Sequence, residues 1–150
     1  MTNEEFERDI RSYLEQYKDQ ENRICCMLGL ELLECSVEKQ CADFVLTAQD
    51  WMLNPYNGIH GGIICSAFDT CIGTGALSLR KDFISTTDIT ISYLRPMTGA
   101  KYRFHCDYTQ VGGRLIRGVA KAYDMETGVL CATCMSSFVV TPARGTGLQV

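Results

Sequence analysis

Positive charge is scarce in this chain of 150 residues, and no stretch concentrates it. Fourteen Lys and Arg residues stand against eighteen Asp and Glu residues, which gives a formal net charge of −4. A nucleic-acid-binding surface needs a basic patch, because phosphate contacts dominate its affinity. We therefore expect no nucleic-acid partner. Hydrophobic residues at 46% and charged residues at 21% are typical of a globular chain, and the length suits one domain with a substantial core.

Histidine is also rare. Only His60 and His105 occur, and neither belongs to a close group of Cys, Asp or Glu with the spacing of metal ligands. The glycine-containing segment 73–75 lacks the further glycine and the lysine of a phosphate-binding loop. We therefore expect neither a catalytic metal nor a cofactor.

The N-terminus lacks the apolar stretch of a secretion signal. Residues 1–22 instead predict an amphipathic helix, whose apolar positions within 3–19 are Phe6, Ile10, Tyr13, Leu14 and Tyr17. The nine cysteines are odd in number and are scattered through apolar segments. This pattern favours reduced, buried thiols and a cytoplasmic location.

One long apolar run, residues 61–79, lacks proline and carries a single charge, Asp69. An acid at the centre of a membrane span would cost about 2.5–3.5 kcal/mol on insertion scales, so we expect no membrane segment. The apolar residues recur at the three-and-four spacing of one helix face, whereas Asp69 shares a stripe with Gly62, Ser66 and Gly73. A turn-rich segment, 54–58, precedes this predicted helix.

Strand patterns occupy most of the remaining chain. Segments 27–37 and 41–48 predict a strand pair, and after residue 79 the hydrophobic period changes to two. The four strands predicted from this alternation are 85–94, 101–109, 115–123 and 129–140. Tight turns between them, such as Gly112 and Gly113, predict consecutive hairpins in an antiparallel meander, and an α+β class. The helix would be about 28 Å long, and strands of this length extend about 30–36 Å, so the sheet can curl around the whole helix.

These features resemble a known family. The residues that carry the resemblance are Asn54, His60-Gly61-Gly62, Asp69, the strand TTDITISYLRP at 86–96, Gly99 and Gly112-Gly113-Arg114. Their spacing resembles that found in the hot-dog fold acyl-CoA thioesterases of the phenylacetate-degradation (PaaI-like) type. The resemblance covers roughly 27–140 of a single domain spanning 1–150, and it leaves the N-terminal helix and a tail at 141–150 outside.

The resemblance implies an acyl-CoA thioesterase, which hydrolyses a thioester to a free acid and CoA. Asp69 would act as the general base or the nucleophile, and the Gly61 N–H at the helix N-terminus would bind the oxyanion. The other residues implied in catalysis are Asn54, His60 and Thr86. Thr86 is chosen over Thr87 because the family has Ser or Thr near the acid, although strand register decides between the two.

Helix geometry separates the two main catalytic candidates. Gly61 and Asp69 are eight residues apart, about 12 Å along a helix axis, so they cannot both contact one carbonyl within one chain. The family's solution is a dimer that faces the donor loop of one subunit with the acid of the other. We therefore expect two composite sites per homodimer, with Asn54, His60 and Gly61 from one chain and Asp69 and Thr86 from the other. Whether dimers pair further into a homotetramer stays open.

Contacts to the substrate follow from the same resemblance. The residues expected to bind the acyl-CoA are Gly62, Arg95, Pro96, Gly113 and Arg114. Arg117 and Lys81 are further candidates for the CoA phosphates, and each of these basic residues could instead be a solvated surface charge. The acyl pocket could be lined by Tyr56, Phe68, Phe83 and the first strand pair.

Three alternatives stay open. Asp69 could be a structural acid, and His60 could orient the turn rather than carry a proton. The chain could also be a non-catalytic acyl-CoA-binding or regulatory module on the same fold, although binding alone needs no acid at position 69. A hot-dog dehydratase or hydratase is disfavoured, because its arrangement of histidine and acid is not found here. Acyl preference is not predicted.

Overall fold

A single long helix packed on a curved, six-stranded antiparallel sheet forms the centre of the computed structural model, which describes residues 1–16 and 18–141. The predicted architecture, a sheet wrapped on one helix, is confirmed. The helices are α1 (Asn3–Glu15), α2 (Ile24–Leu28), a 3₁₀ turn (Asp50–Met52) and α3 (Gly61–Arg80). The strands are β1 (Glu31–Ser36), β2 (Cys41–Thr47), β3 (Phe83–Tyr93), β4 (Lys101–Val111), β5 (Leu115–Asp124) and β6 (Leu130–Thr141).

Helix α3 buries the apolar face that its sequence period predicts. Its buried residues are Ile64, Ala67, Phe68, Cys71, Ile72, Gly75, Ala76 and Ser78. Phe68 meets Phe104 of β4 edge to face, with ring centroids 4.8 Å apart. By length and composition alone, this 20-residue helix could cross a membrane. Here its apolar face packs against the sheet as the core helix of the fold.

Glycine allows α3 to approach the sheet closely at one point. A Cβ built on Gly75 would lie 1.7 Å from the hydroxyl of the buried Tyr108 on β4. Gly73, two residues earlier, would make only an ordinary 3.5 Å contact with Phe138. Of the small helix residues, Gly75 is therefore the one whose missing side chain the packing requires.

The strand order corrects the predicted meander. The order is β1-β2-β4-β5-β6-β3, so of the four strands predicted to form the meander, β4, β5 and β6 are joined as consecutive hairpins and β3 is not. Strand β3 pairs antiparallel with β6 rather than with its sequence neighbour β4. Two-residue alternation identifies the faces of a strand but not its neighbours, which is why the prediction failed. As a result, β3 lies at the sheet edge, and within 1–16 and 18–141 one of its sides has no strand partner.

A bulge interrupts β3 near its start. Thr86 pairs with Phe138 and Asp88 with Ser137, so Thr87 is an extra residue in the ladder. Bulges bend a strand and redirect side chains, and they are common beside active sites. This bulge decides which threonine hydroxyl faces the helix.

The N-terminal region belongs to the same core. Thr2 caps α1 in a capping box with Glu5, and Phe6 and Ile10 are fully buried. The helix ends at Glu15, which is earlier than predicted. Of the other predictions for the two ends of the chain, those for Tyr17 and for 142–150 lie outside the described residues.

The first predicted strand, 27–37, was wrong at its start. Met27 and Leu28 belong to the short helix α2, and Gly29 ends that helix with a φ of +59°, a left-handed conformation that favours glycine. Strand β1 begins only at Glu31. The cysteine prediction is also wrong in part. All nine cysteines are free, but only Cys71, Cys106, Cys131 and Cys134 are buried.

Candidate active site

His60 caps the N-terminus of α3 with its side chain. Its Nδ1 accepts a 3.0 Å hydrogen bond from the Gly62 N–H, and its carbonyl accepts from Ile63 and Ile64. Because Nδ1 is an acceptor in this contact, the ring proton of the neutral imidazole lies on Nε2. The N–H of Gly62, one of the residues expected to bind acyl-CoA, is therefore already paired within the chain. His60 orients the turn through this bond.

The Gly61 N–H is the donor left at the helix start. Among residues 1–16 and 18–141, no hydrogen-bond acceptor is found for it. The first N–H groups of a helix have no partner inside the helix, and the helix dipole makes their surroundings positive. Gly61 N–H is therefore available to an anionic oxygen.

Tyr93, the last residue of β3, holds this glycine from the other side. Its hydroxyl donates a 2.7 Å hydrogen bond to the Gly61 carbonyl, and its ring lies 3.4 Å from where a Gly61 Cβ would be. Burial, followed by the nearby Cys65 and Cys134, raises the pKa of the Tyr93 phenol, so it stays a donor at neutral pH. No sequence motif marks Tyr93 for this contact.

Asn54 closes the loop that precedes the helix. Its Oδ1 accepts hydrogen bonds from the N–H groups of Tyr56 and Gly58, at 2.9 and 3.2 Å. Its own N–H donates to the Gly58 carbonyl. Asn54 thus shapes the 54–58 turn that leads to His60, and the described residues offer no acceptor for its Nδ2.

Asp69 is a half-buried acid with one hydroxyl partner. Thr86 Oγ1 donates a 2.8 Å hydrogen bond to Asp69 Oδ1. Thr87 faces away, and its hydroxyl bonds to Asp88 and to the Ser137 carbonyl. Asp69 Oδ2 has no hydrogen-bond partner among the described residues, so it is free to accept from a water or a substrate.

A surface pocket of about 210 Å³ opens beside Asp69 and Thr86. Its other lining residues are Tyr13, Cys25, Thr70, Gly73, Thr74, Leu77, Ile84 and Phe138. The aromatic residues expected to line an acyl pocket do not reach it. Tyr56 and Phe83 are 88% and 66% exposed, and Phe68 is fully buried in the core. Tyr13 and Cys25 come from the N-terminal region and were missed, because neither belongs to a motif.

Thiols near Asp69 are poor nucleophiles. Burial, with a smaller effect of Asp69, raises the pKa of Cys65. Burial raises the pKa of Cys134 to about 12, with smaller effects of Cys106, Cys65 and Asp69. A protonated thiol is weakly reactive, so the carboxylate of Asp69 is the better candidate for the reacting group. No group of three or more potential metal ligands occurs within the described ranges.

The expected CoA-binding residues divide into two groups. Arg95 and Pro96 follow Tyr93, and Arg95 Nη1 donates to the Leu130 carbonyl at 2.8 Å. Gly113 and Arg114 are exposed in the β4–β5 turn, and the Arg114 carbonyl accepts from Val140.

Val140 pairs with Ile84 at the opposite end of β3 from Tyr93, so the two groups are far apart within one chain. Of the further candidates, Lys81 forms an ion pair with Asp9 of α1 at 3.1 Å, and Arg117 is exposed on β5.

The catalytic candidates divide in the same way. Gly61 contacts Tyr93 near the end of β3, whereas Asp69 contacts Thr86 near its start. The helix between Gly61 and Asp69 is continuous, so about 12 Å of helix axis separates them. One chain therefore presents the Gly61 N–H at one place and the Asp69 carboxylate at another, both beside β3, whose outer side is unpaired among the described residues.

The sequence matches one family model over this region. The model of the thioesterase superfamily matches residues 56–131, more than half of the chain. The chain belongs to the thioesterase superfamily. This family acts on thioesters in general, which agrees with the predicted class of reaction. A comparison with curated protein sequences finds no significant match.

Solved structures share the fold over nearly the whole chain. The PaaI protein of the phenylacetic acid degradation operon of E. coli matches with a TM-score of 0.78 at 17% identity, covering 94% of this chain and 96% of that one. A thioesterase family protein from Silicibacter pomeroyi matches with a TM-score of 0.78 at 17% identity, covering 92% and 99%.

A phenylacetic acid degradation-related protein from Ralstonia eutropha matches with a TM-score of 0.75 at 20% identity, covering 90% and 98%. These matches confirm the predicted hot-dog fold, and the family model confirms that the chain is a thioesterase-superfamily member. They extend beyond the predicted 27–140, since they cover at least nine-tenths of the chain.

Proposed function

We propose that this protein is an acyl-CoA thioesterase whose active site is shared between two subunits. The observation that carries the proposal is the pair of half-sites beside the free edge of β3. One half-site is the Gly61 N–H, which has no acceptor among the described residues, and the other is the Asp69 carboxylate, which accepts a hydrogen bond from Thr86. A thioesterase needs a hydrogen-bond donor for the oxyanion, because the attacked carbonyl oxygen develops negative charge. It also needs a base or a nucleophile for the attack, which a carboxylate can provide.

The reaction assigns a role to each group. Acting as a base, Asp69 takes a proton from a water whose oxygen attacks the thioester carbon, and the Gly61 N–H donates to the oxyanion that forms. The C–S bond then breaks, and the CoA thiolate leaves and is protonated. Acting as a nucleophile, Asp69 attacks the carbon itself, the C–S bond breaks and the CoA thiolate leaves as the mixed anhydride forms. Water then hydrolyses the anhydride, which releases the free acid and restores the Asp69 carboxylate. Thr86 keeps Oδ1 occupied, which leaves Oδ2 for the water or the substrate.

A two-fold axis beside β3 would bring the half-sites together. If two β3 edges pair antiparallel about Thr90, Tyr93 of one chain lies opposite Thr86 of the other, because the bulge residue Thr87 takes no place in the ladder and both residues are three ladder steps from Thr90. The Gly61 donor of one subunit then faces Asp69 of the second, and the arrangement occurs twice. An unpaired edge of eleven residues also favours pairing, because its backbone groups otherwise face solvent.

The same pairing would collect basic residues for CoA. In this pairing, Arg95 of one chain would lie near the start of β3 in the second chain. Ile84 at that start pairs with Val140, and the Val140 N–H donates to the Arg114 carbonyl, so Arg95 would approach the Arg114 region. If these residues bind the CoA phosphates, the apparent affinity for CoA should fall as the salt concentration rises, because salt screens the charges. The variant Arg114→Gln should weaken this salt dependence without changing the turnover of a short thioester that lacks the nucleotide.

Hydrolysis of a panel of acyl-CoA substrates, followed by detection of the free thiol, tests the proposed function. We expect turnover of at least one acyl class, and a loss of about 10²–10⁴-fold in the Asp69→Asn variant with substrate binding retained. A protein that binds acyl-CoA but hydrolyses none of the panel would instead be a binding or regulatory module.

The oxyanion donor can be tested without disturbing the helix. Gly61 is the first helical residue, a position where proline is favoured, and His60 has the extended ψ of 136° that a residue before proline prefers. Gly61→Pro therefore removes the N–H, whereas Gly61→Ala keeps it. We expect about 10²–10³-fold slower turnover for the proline variant alone. Equal turnover of both variants would exclude Gly61 as the donor.

A further inference from the structure

The N-terminal helices reach the pocket beside Asp69. Tyr13 of α1 and Cys25 of α2 both line it, together with Leu77, Ile84 and Phe138 from the helix and the sheet. We propose that Tyr13 and Cys25 form the outer wall of the acyl-binding pocket and restrict it to compact acyl groups. This inference rests on the proposed function, because it assigns the pocket to the acyl half of the substrate.

The wall is held in place by several contacts. Phe6 and Ile10 fix α1 against the core, and the Asn3 side chain bonds to the Cys35 carbonyl and the Val37 N–H of the β1 region. Asp9 of α1 pairs with Lys81 just after α3. Tyr13 is therefore presented to the pocket by a docked helix, which supports a role in shaping that pocket.

The size and chemistry of the pocket define the acyl class. Its volume of about 210 Å³ is below the roughly 300–1,000 Å³ of pockets that enclose drug-sized ligands. Leu77, Ile84 and Phe138 offer apolar surface, while the threonines Thr70 and Thr74 add hydroxyls. A short or single-ring acyl group fits this space, and a long chain would have to emerge past Tyr13 or Cys25.

Cys25 also borders a second cavity, which supplies an internal control. This cavity of about 440 Å³ lies between α1, α2 and β1, and it is lined by both Cys25 and Cys26. Only Cys25 lines the Asp69 pocket as well. A ligand in the Asp69 pocket should therefore protect Cys25 from alkylation and leave Cys26 unaffected.

Alkylation footprinting tests the position of the wall. The Asp69→Asn variant is treated with iodoacetamide alone, with free CoA or with a short-chain acyl-CoA, and labelling of each cysteine is followed by fragment-ion mass spectrometry. We expect the acyl-CoA to slow the labelling of Cys25 about fivefold relative to that of Cys26, because a pocket buries most of the surface of a bound group. Free CoA should leave the ratio of the two labelling rates unchanged. Equal protection by free CoA, or no protection by either, would overturn the proposal.

This readout does not depend on turnover. If the wild-type protein hydrolyses no acyl-CoA, the proposed catalytic function fails, yet selective protection of Cys25 still supports the assignment of the pocket. If turnover is normal and Cys25 is not protected, the wall proposal fails alone. The two failures are therefore distinguishable.

Chain-length selectivity gives a second test. Tyr13→Ala and Cys25→Ala enlarge the pocket. Each should raise the ratio of kcat/KM for an eight-carbon acyl-CoA to kcat/KM for a four-carbon acyl-CoA by about tenfold, which is the discrimination that one methylene in an apolar pocket gives. Tyr56→Ala is the matched control, because this side chain is 88% exposed and lies outside the pocket. An unchanged ratio in both pocket variants would contradict the proposed wall.

Discussion

Thr86 donates a 2.8 Å hydrogen bond to Asp69 across the space between strand β3 and helix α3. The bond exists because of the bulge at Thr87, which turns the neighbouring hydroxyl toward Ser137 and Asp88 instead. The edge strand β3 thus contacts the core helix α3 through the hydrogen bond from Thr86 to the Asp69 carboxylate. The bond orients the acid and leaves its second oxygen accessible.

Removal of this bond should slow catalysis. A hydrogen bond to a charged group contributes about 1.5–3 kcal/mol, so Thr86→Ala should lower kcat about tenfold or more. Steady-state kinetics with the best acyl-CoA substrate measures the effect. Thr87→Ala is the matched control and should keep wild-type kcat, since Thr87 does not contact Asp69. A larger loss in Thr87→Ala than in Thr86→Ala would contradict the assigned roles.

Tyr93 should act as a positioning residue for the oxyanion donor. Tyr93→Phe removes only the hydroxyl that binds the Gly61 carbonyl, so kcat should fall by about two- to tenfold while KM is nearly unchanged, the effect of one lost hydrogen bond. Hydrogen exchange at residues 63–65 should become faster as the helix start loosens. Tyr56→Phe, at an exposed position, should change neither. Unaltered kcat and exchange in Tyr93→Phe would remove Tyr93 from this role.

The close approach of α3 to the sheet predicts opposite effects of two similar substitutions. Gly75→Ala would drive a methyl group into the buried Tyr108, which should destabilise the fold by about 1–3 kcal/mol or more. Gly73→Ala makes only an ordinary contact with Phe138, and alanine's higher helix propensity should stabilise it by up to about 1 kcal/mol. Urea denaturation measures both. A stable Gly75→Ala variant would mean that the packing is looser than described.

The buried thiol of Cys134 predicts a loss of stability at high pH. Its pKa is raised to about 12 in the folded protein, against about 8.5 for an unfolded thiol. The stabilising contribution is therefore complete below the lower value and is lost as pH rises toward the higher one. Between pH 9 and 11, the free energy of unfolding should fall more steeply in the wild type than in Cys134→Ala, by up to about 1.4 kcal/mol per pH unit. Parallel curves would contradict the assignment.

Local sequence patterns were sufficient to predict the long helices and strands and to identify the family motif. They were insufficient to predict which strands pair and which side chains meet across the fold. The three-and-four spacing of residues 61–79 predicted α3 to within one residue of its observed end, Arg80. The alternation within 101–109 predicted a strand, and β4 is buried at alternate residues, because burial follows the period of each element. Met27 and Leu28 were assigned to a strand because a short apolar run does not distinguish a strand from a helical turn.

The remaining site features depend on pairing across the fold. The edge position of β3 follows from its ladder with β6, which no local period encodes. The contact of Tyr93 with Gly61 spans 32 residues of sequence, and the reach of Tyr13 and Cys25 into the Asp69 pocket depends on how α1 docks. Such contacts are decided by packing, so a single sequence leaves them open.

Subunit complementation tests the shared active site most directly. Asp69→Asn and Gly61→Pro chains are co-expressed with different affinity tags, and the heterodimer is isolated by sequential purification. If each site combines Gly61 of one chain with Asp69 of the other, one of the two sites in the heterodimer is intact, and it should recover about half of the wild-type turnover per dimer. If both groups act within one chain, every site carries a defect. A heterodimer no more active than its two parents would therefore contradict the composite site.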